Sequence, residues 1–489
     1  MLDRRFHISE QGSTVRTEIL AGITTFLTMA YIVFLQPAVL SGRLFGGSPE
    51  ADIMPFGAVM TATCLSAAIA TLIMGLYANY PIAQAPGMGE NFIFVLSLVP
   101  AAQVWIDQAT AAGRIEPGSV AAWQIGLGVV FISGVLFLIV SLLGLRTMIL
   151  GTISPSMRNA IAAGIGLFIA FIGLQGATVI VDAPGQLVRM NPHVAVPDVV
   201  VFFFGLLVTA GLHGRRVPGS IIWGIVATTL FAVGLREGLP WLAERFPSLL
   251  DSTAIAQSNL LSRFTIAAGV VASPPSLSPT FLKFDVLHAL TWQMLPFILL
   301  FLFMDVFDTL GTLVGVSEQA GLVKDGELPR ARRAMLSDAL GTVVGASCGT
   351  STVTSFIESA AGVEQGGRTG LTAVVVAVLF LAAPFFAPLV EMVGSYPSIT
   401  APALFIVGSM MMRNVLKIEW TNPAEAVPAF VTIIGIPLSY SIADGLALGF
   451  ICYPVVKLLA GQGKDVGKLS YLLAILLIVY LVAVRSQVG

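Results

Sequence analysis

Charge is what this chain has least of. Of its 489 residues only 11% are Asp, Glu, Lys or Arg, against about 25% in soluble domains. The formal net charge of −2 leaves no basic face for nucleic acid. Cysteine and histidine are also scarce. Cys64, Cys348 and Cys452 sit in or beside apolar runs, without metal-ligand spacing, and read as small buried residues. The four histidines form no cluster, so no metal site and no cofactor are expected. A GxxxxGKS or GxxxxGKT stretch is missing, which argues against a P-loop ATPase engine. Ser-His-Asp, HExxH and CxxC sets are missing too, which weakens any enzyme reading. The first residues, MLDRRFHISEQGSTVRTEIL, mix both signs of charge and lack a cleavable apolar core, so no signal peptide is expected.

What fills the chain instead is apolar sequence, 56% of all residues, in runs long enough to cross a bilayer. About 20 apolar residues suffice for one crossing, so the expected fold is an all-α polytopic membrane protein. In the first half the runs fall at 19–40, 56–77, 84–100, 120–143, 155–175, 197–213 and 216–235. A linker at 236–289 follows, and its SPPSLSP section is plainly non-helical. The second half has runs at 290–317, 333–347, 349–362, 369–391, 397–413, 424–459 and 469–485. The 424–459 stretch is broken by Pro428, Pro437 and SYSIAD; counted once, it gives about 14 segments, seven per half.

In each half the third segment is interrupted: QAPGMGEN at 84–91 and GTSTVTSFIESAAG at 349–362. In the first of these only Phe92 to Val99 reads as helix. An odd number of spans per half inverts one half against the other. Paired interrupted segments in two such halves point to a transport site. The expected organisation is a 7+7 inverted repeat, residues 1–235 and 290–489, joined by an extracytoplasmic linker at 236–289.

Basic residues near the spans give an orientation. With the N-terminus cytoplasmic, Arg4, Arg5, Arg16, Arg146, Arg158, Arg215, Arg216, Lys324, Arg330, Arg332, Arg333, Arg368, Arg413 and Lys417 lie inside. Arg43, Arg114 and Arg189 lie outside. Lys464 and Lys468 do not fit, which leaves the topology of the last 60 residues open and 13 or 15 spans as alternatives to fourteen.

The run PFILLFLFMDVFDTLGTLVG carries two charges, Asp305 and Asp308, near its middle and on one helix face. A charged Asp at the bilayer centre costs about 2.5–3.5 kcal/mol on insertion scales, so a polar cavity used for transport is expected there. Glu358 lies in the second interrupted segment; Asn91 and Glu90 hold the matching place in the first. Facing half-helices would gather Asp305, Asp308, Glu358 and Asn91 into one site. Ionised carboxylates only accept hydrogen bonds, so they suit a ligand offering N–H groups and repel anions. Glu90 also fits a first-turn acid held by the helix dipole. Asp338 follows a basic loop and is expected at the surface near Arg332 or Arg333. Asp444 is expected in a break satisfied by local hydrogen bonds, and Glu425 at a helix start. The glycines of 164–176 read as helix-packing positions.

Four stretches resemble the nucleobase–ascorbate transporter family, and within it the AzgA-like guanine/hypoxanthine/adenine permeases. They are GITTFLTMAYIVFLQPAVL at 22–40, QAPGMGEN at 84–91, FLFMDVFDTLGTLVGV at 301–316 and GTSTVTSFIESAAGVEQGGRTGLTAV at 349–374. The resemblance implies core segments at 19–143 and 290–391, and gate segments at 155–235 and 397–485. It implies a multi-pass symporter in the cytoplasmic membrane, surrounded by lipid, homodimeric, importing purine nucleobases with protons by an elevator-like motion. Asp305 and Glu358 match the family's substrate-binding acids and Asn91 its asparagine. Phe92 falls where backbone and an aromatic meet the base. Asp308 matches a second acid needed for transport, and with Glu90 is assigned to proton or cation coupling. Glu90 stands where an apolar residue is expected, a departure that bears on substrate and coupling ion. Two rival readings share the architecture: a sulfate-permease-like anion transporter or exchanger, and a sodium-coupled nucleobase or xanthine transporter.

Overall fold

The computed structural model describes the chain apart from residues 1, 46–50, 144–152, 184, 186, 246–257, 323–327, 480 and 483–489. Arg146, Lys324 and parts of the linker and the last apolar run thus lie outside the described residues. Hydroxyl, amide and proline residues at the heads of the apolar runs start the helices, as orphan first-turn amides require. Thr14 caps α1 (Val15–Met29) by accepting from the Thr17 amide at 3.1 Å. A break at Ala30 and Tyr31 separates it from α2 (Ile32–Leu40). Then come α3 (Phe56–Ala78), the short strand β1 (Gln84–Pro86), α4 (Met88–Ala111) and α5 (Ala122–Leu143). Ser154 caps α6 (Pro155–Gly176). The hairpin β2 (Ile180–Ala183) and β3 (Leu187–Met190) leads to α7 (Pro197–Gly214) and α8 (Ser220–Arg245).

The second half follows. α9 (Leu295–Gln319) and α10 (Ala331–Cys348) precede strand β4 (Val353–Ser355), the short α11 (Ser359–Glu364) and α12 (Gly370–Gly394). The chain ends in α13 (Pro397–Met411), α14 (Pro423–Leu438), α15 (Ile442–Leu459) and α16 (Lys468–Val479). Among the described residues, 11 helical stretches are long and apolar enough to cross a membrane.

Two packing groups form. Helices α1–α5 pack with α9–α12, and α6–α8 with α13–α15. Glycine sets the closest approaches: a Cβ on Gly370 would stand 1.9 Å from the Gly75 carbonyl oxygen, so α12 and α3 touch backbone to backbone. Gly164, Gly166 and Gly173 let α6 meet α14 and α13 in the same way, the packing role expected of them. At the heart of the first group the two interrupted segments cross. β1 and β4 pair antiparallel, Gln84 opposite Ser355 and Pro86 opposite Val353, and every residue of both is buried. Extended backbone is tolerated at this depth because its polar groups pair inside protein.

The described part of the linker straps both groups. At one end, the Asn259 and Leu260 amides donate to Asp198 of α7 at 3.0 and 3.2 Å. At the other, Thr61 donates to the Pro275 carbonyl at 2.8 Å and the Asp285 amide to the Gln124 carbonyl at 2.8 Å.

Three expectations change. The first interrupted segment is helical from Met88 to Ala111, well beyond Val99. A wide π turn at Phe94–Leu98 relieves the clash that Pro100 would cause in a regular helix. The 424–459 stretch is two antiparallel helices rather than one broken span. Tyr440 takes a left-handed backbone (φ 52°) and Ser441 caps α15 by accepting from the Asp444 amide at 3.1 Å, so the chain reverses in a few residues. Asp338 is fully buried rather than at the surface; its partners belong to the site below.

Candidate functional site

The crossing strands bring the acids together. Asp305 on α9 is fully buried, and its Oδ2 accepts from the Thr342 hydroxyl of α10 at 2.7 Å. Thr342 is fixed in turn by β4, where it donates to the Val353 carbonyl at 3.1 Å. Oδ1 of Asp305 has no hydrogen-bond partner among the described residues. One turn along α9, Asp308 is exposed. It faces open space: a Cβ on Gly311 would meet nothing within 4 Å, and one on Gly315 only Ile357 Cδ1 at 3.7 Å. Glu358 opens onto space as well, being partly exposed just past β4. Its Oε1 accepts from the Tyr31 hydroxyl at 2.6 Å, at the break between α1 and α2.

In the first interrupted segment Asn91 is fully buried. Its side chain forms an amide pair with Gln36 of α2, whose Nε2 donates to Asn91 Oδ1 at 3.0 Å, and Ser351 also donates to that oxygen. Phe92 is buried edge-on between Phe45 and Phe168, with ring centroids 5.9 and 6.0 Å away. Glu90 is buried within electrostatic range of Asp308, Asp305 and Asp338. Glu358 lies within electrostatic range of Asp308 as well.

Asp338 is the member that sequence reasoning misplaced. Gln84 Nε2 donates to it at 2.6 Å, the Ser355 hydroxyl at 2.6 Å, and the Thr309 hydroxyl completes the set. The basic loop it was expected to face is engaged elsewhere: Arg332 donates to the Leu142 carbonyl at 2.8 Å, and Arg333 lies over the Tyr77 ring. Gln36 and Tyr31 were missed as well. Their signal was present, since a Gln inside the apolar run YIVFLQPAVL needs a polar partner at membrane depth. Asp444 and Glu425 stand apart from this site. Asp444 lies in the first turn of α15, and Glu425 in that of α14, where it pairs with Lys457 at 2.8 Å.

A cavity of about 230 Å³ is lined by Leu44, Phe45, Ile172, Gln175 and Tyr440, at the aromatic end of the site rather than at the carboxylates. Chemically, the carboxylate cluster offers many acceptors and few donors. It suits an uncharged ligand rich in N–H groups.

Comparisons with known proteins identify the family. A permease family model, that of the xanthine/uracil permeases, matches residues 16–448. The guanine/hypoxanthine permease PbuG of Bacillus subtilis is 41% identical, over 98% of this chain and 99% of its own. The adenine permease AdeP of Escherichia coli is 36% identical, over 100% and 97%. Among solved structures, the transmembrane domain of a cyanobacterial bicarbonate transporter, BicA, superposes with a TM-score of 0.58 at 15% identity, covering 89% of this chain and 97% of that one. At that identity the likeness shows a shared fold alone. The family and these relatives are permeases, not enzymes, and the chain belongs to the xanthine/uracil permeases of the nucleobase–ascorbate transporter family.

Proposed function

We propose that this permease is a secondary active symporter that imports neutral purine bases of the hypoxanthine, guanine or adenine type together with protons. The crossing of β1 and β4 carries this reading, because it sets Glu358 and the Asn91 segment beside Asp305 and Asp308. Asp305, through its unpartnered Oδ1, and Glu358 accept the ring N–H groups. Asn91 and Phe92 form the wall that positions the base. Asp308 and Glu90 form the coupling pair, Asp308 facing the open groove along Gly311 and Gly315. A site built around hydrogen bonds rejects analogues lacking the group by roughly 10⁴–10⁵. One charge moved through 100 mV supplies about 2.3 kcal/mol, enough for roughly fifty-fold accumulation at 1.36 kcal/mol per decade.

Transport proceeds as the α1–α5 and α9–α12 core slides against the α6–α8 and α13–α15 gate. Taking α14 and α15 as separate spans gives fourteen crossings before α16. It also returns Lys464 and Lys468 to the side of the N-terminus, which removes the one misfit in the positive-inside pattern. The protein sits in the cytoplasmic membrane with that side inside, as a homodimer. Replacing Glu358 by Gln tests the site: uptake of labelled hypoxanthine should vanish while thermal stability in detergent is kept. Undiminished uptake removes Glu358 from the site.

A further inference from the structure

Glu90 is the third residue of α4, and its side chain turns back over the first turn. It fills the space beside Gly87: a Cβ there would stand 2.4 Å from Glu90 Oε2 and 3.0 Å from its Cδ. Gly87 is the N-cap residue, so only the lack of a side chain at that point lets the acid reach the helix end. Glu90 is 3% exposed and is therefore held inside the protein rather than in water.

The start of α4 is a 24-residue helix beginning at the strand crossing, where free first-turn amides and the helix dipole favour a negative group. In this chain a side chain of the protein already supplies that group. We propose that Glu90 is the charge-selectivity residue of the permease: it occupies from within the position an anionic ligand would take, and so restricts the site to uncharged bases. The inference rests on the reading of the carboxylate cluster as the ligand site. An anion entering beside Asp308 meets Glu90 at close range with the helix end already neutralised, whereas a neutral base does not feel this penalty.

The test compares a neutral and an anionic purine on purified protein. Inhibition of labelled hypoxanthine uptake by urate, a monoanion at neutral pH, is measured against inhibition by unlabelled hypoxanthine for wild type, Glu90→Gln and Gly87→Ala. The second variant keeps the charge but forces it off the helix end. In both variants the ratio of urate to hypoxanthine inhibition constants should fall at least tenfold. A ratio within twofold of wild type in a Glu90→Gln protein that still takes up hypoxanthine overturns the proposal. If that variant takes up no base, ligand-induced thermal shifts decide. Urate stabilising Glu90→Gln more than wild type supports the proposal, and equal shifts refute it. Absence of base uptake by the wild type would instead sink the purine reading, while the urate shifts would still judge Glu90.

Discussion

Tyr31→Phe isolates one hydrogen bond of the site. Tyr31 is 1% exposed, and its hydroxyl donates to Glu358 Oε1 at 2.6 Å. Phenylalanine fills the same space without the oxygen, so no void of consequence is made. A hydrogen bond to a charged group is worth about 1.5–3 kcal/mol. Glu358 is partly exposed, so water replaces some of what Tyr31 gives, and the lower end of about 1.5 kcal/mol applies. At 1.36 kcal/mol per decade this predicts a loss of about tenfold in kcat/KM for hypoxanthine. The assay is initial uptake into proteoliposomes across a range of hypoxanthine concentrations, with thermal unfolding in detergent as the control. The unfolding temperature should stay within a few degrees of wild type. Uptake within twofold of wild type would refute the argument that Tyr31 orients Glu358. Lost uptake with lost stability would show that the hydroxyl serves the fold instead.

Two further substitutions test the frame that carries the site. Gly370→Ala places a methyl 1.9 Å from the Gly75 carbonyl oxygen, where no flexible side chain can yield, and overpacking of this kind costs about 1–3 kcal/mol; the unfolding temperature should drop, and an unchanged one contradicts the α3–α12 contact. Lys457→Met strands Glu425, which otherwise pairs with Lys457 at 2.8 Å and accepts from Ser154 at 2.6 Å. Breaking such a buried pair costs about 3–5 kcal/mol, and the double variant with Glu425→Leu should recover most of it in the same unfolding measurement.

Much of the site was legible in the sequence because membrane depth makes acids conspicuous. Asp305, Asp308 and Glu358 stand out in apolar runs, and the Gly-rich QAPGMGEN cannot begin as a regular helix. Nothing local marks Asp338, however. Its burial is decided by Gln84 and Ser355, which lie 254 and 17 residues away in sequence, and the neighbouring arginines point to the opposite conclusion. The 424–459 stretch was misread for a related reason. Pro428 and Pro437 both lie inside α14, while the reversal occurs at Tyr440 and Ser441, a turn whose left-handed backbone carries no glycine to announce it. The exposure of Asp308 beside Gly311 likewise depends on which helices leave that face of α9 uncovered, and periodicity cannot show this.

The central claim is that the carboxylate cluster holds an uncharged base and couples its entry to protons. Uptake of labelled hypoxanthine by wild-type proteoliposomes, acidic outside and with excess sulfate present, measures it directly. Accumulation above the external concentration that collapses with the proton gradient, and that sulfate leaves untouched, is the predicted result. Uptake that ignores the proton gradient, or that sulfate abolishes, would contradict it.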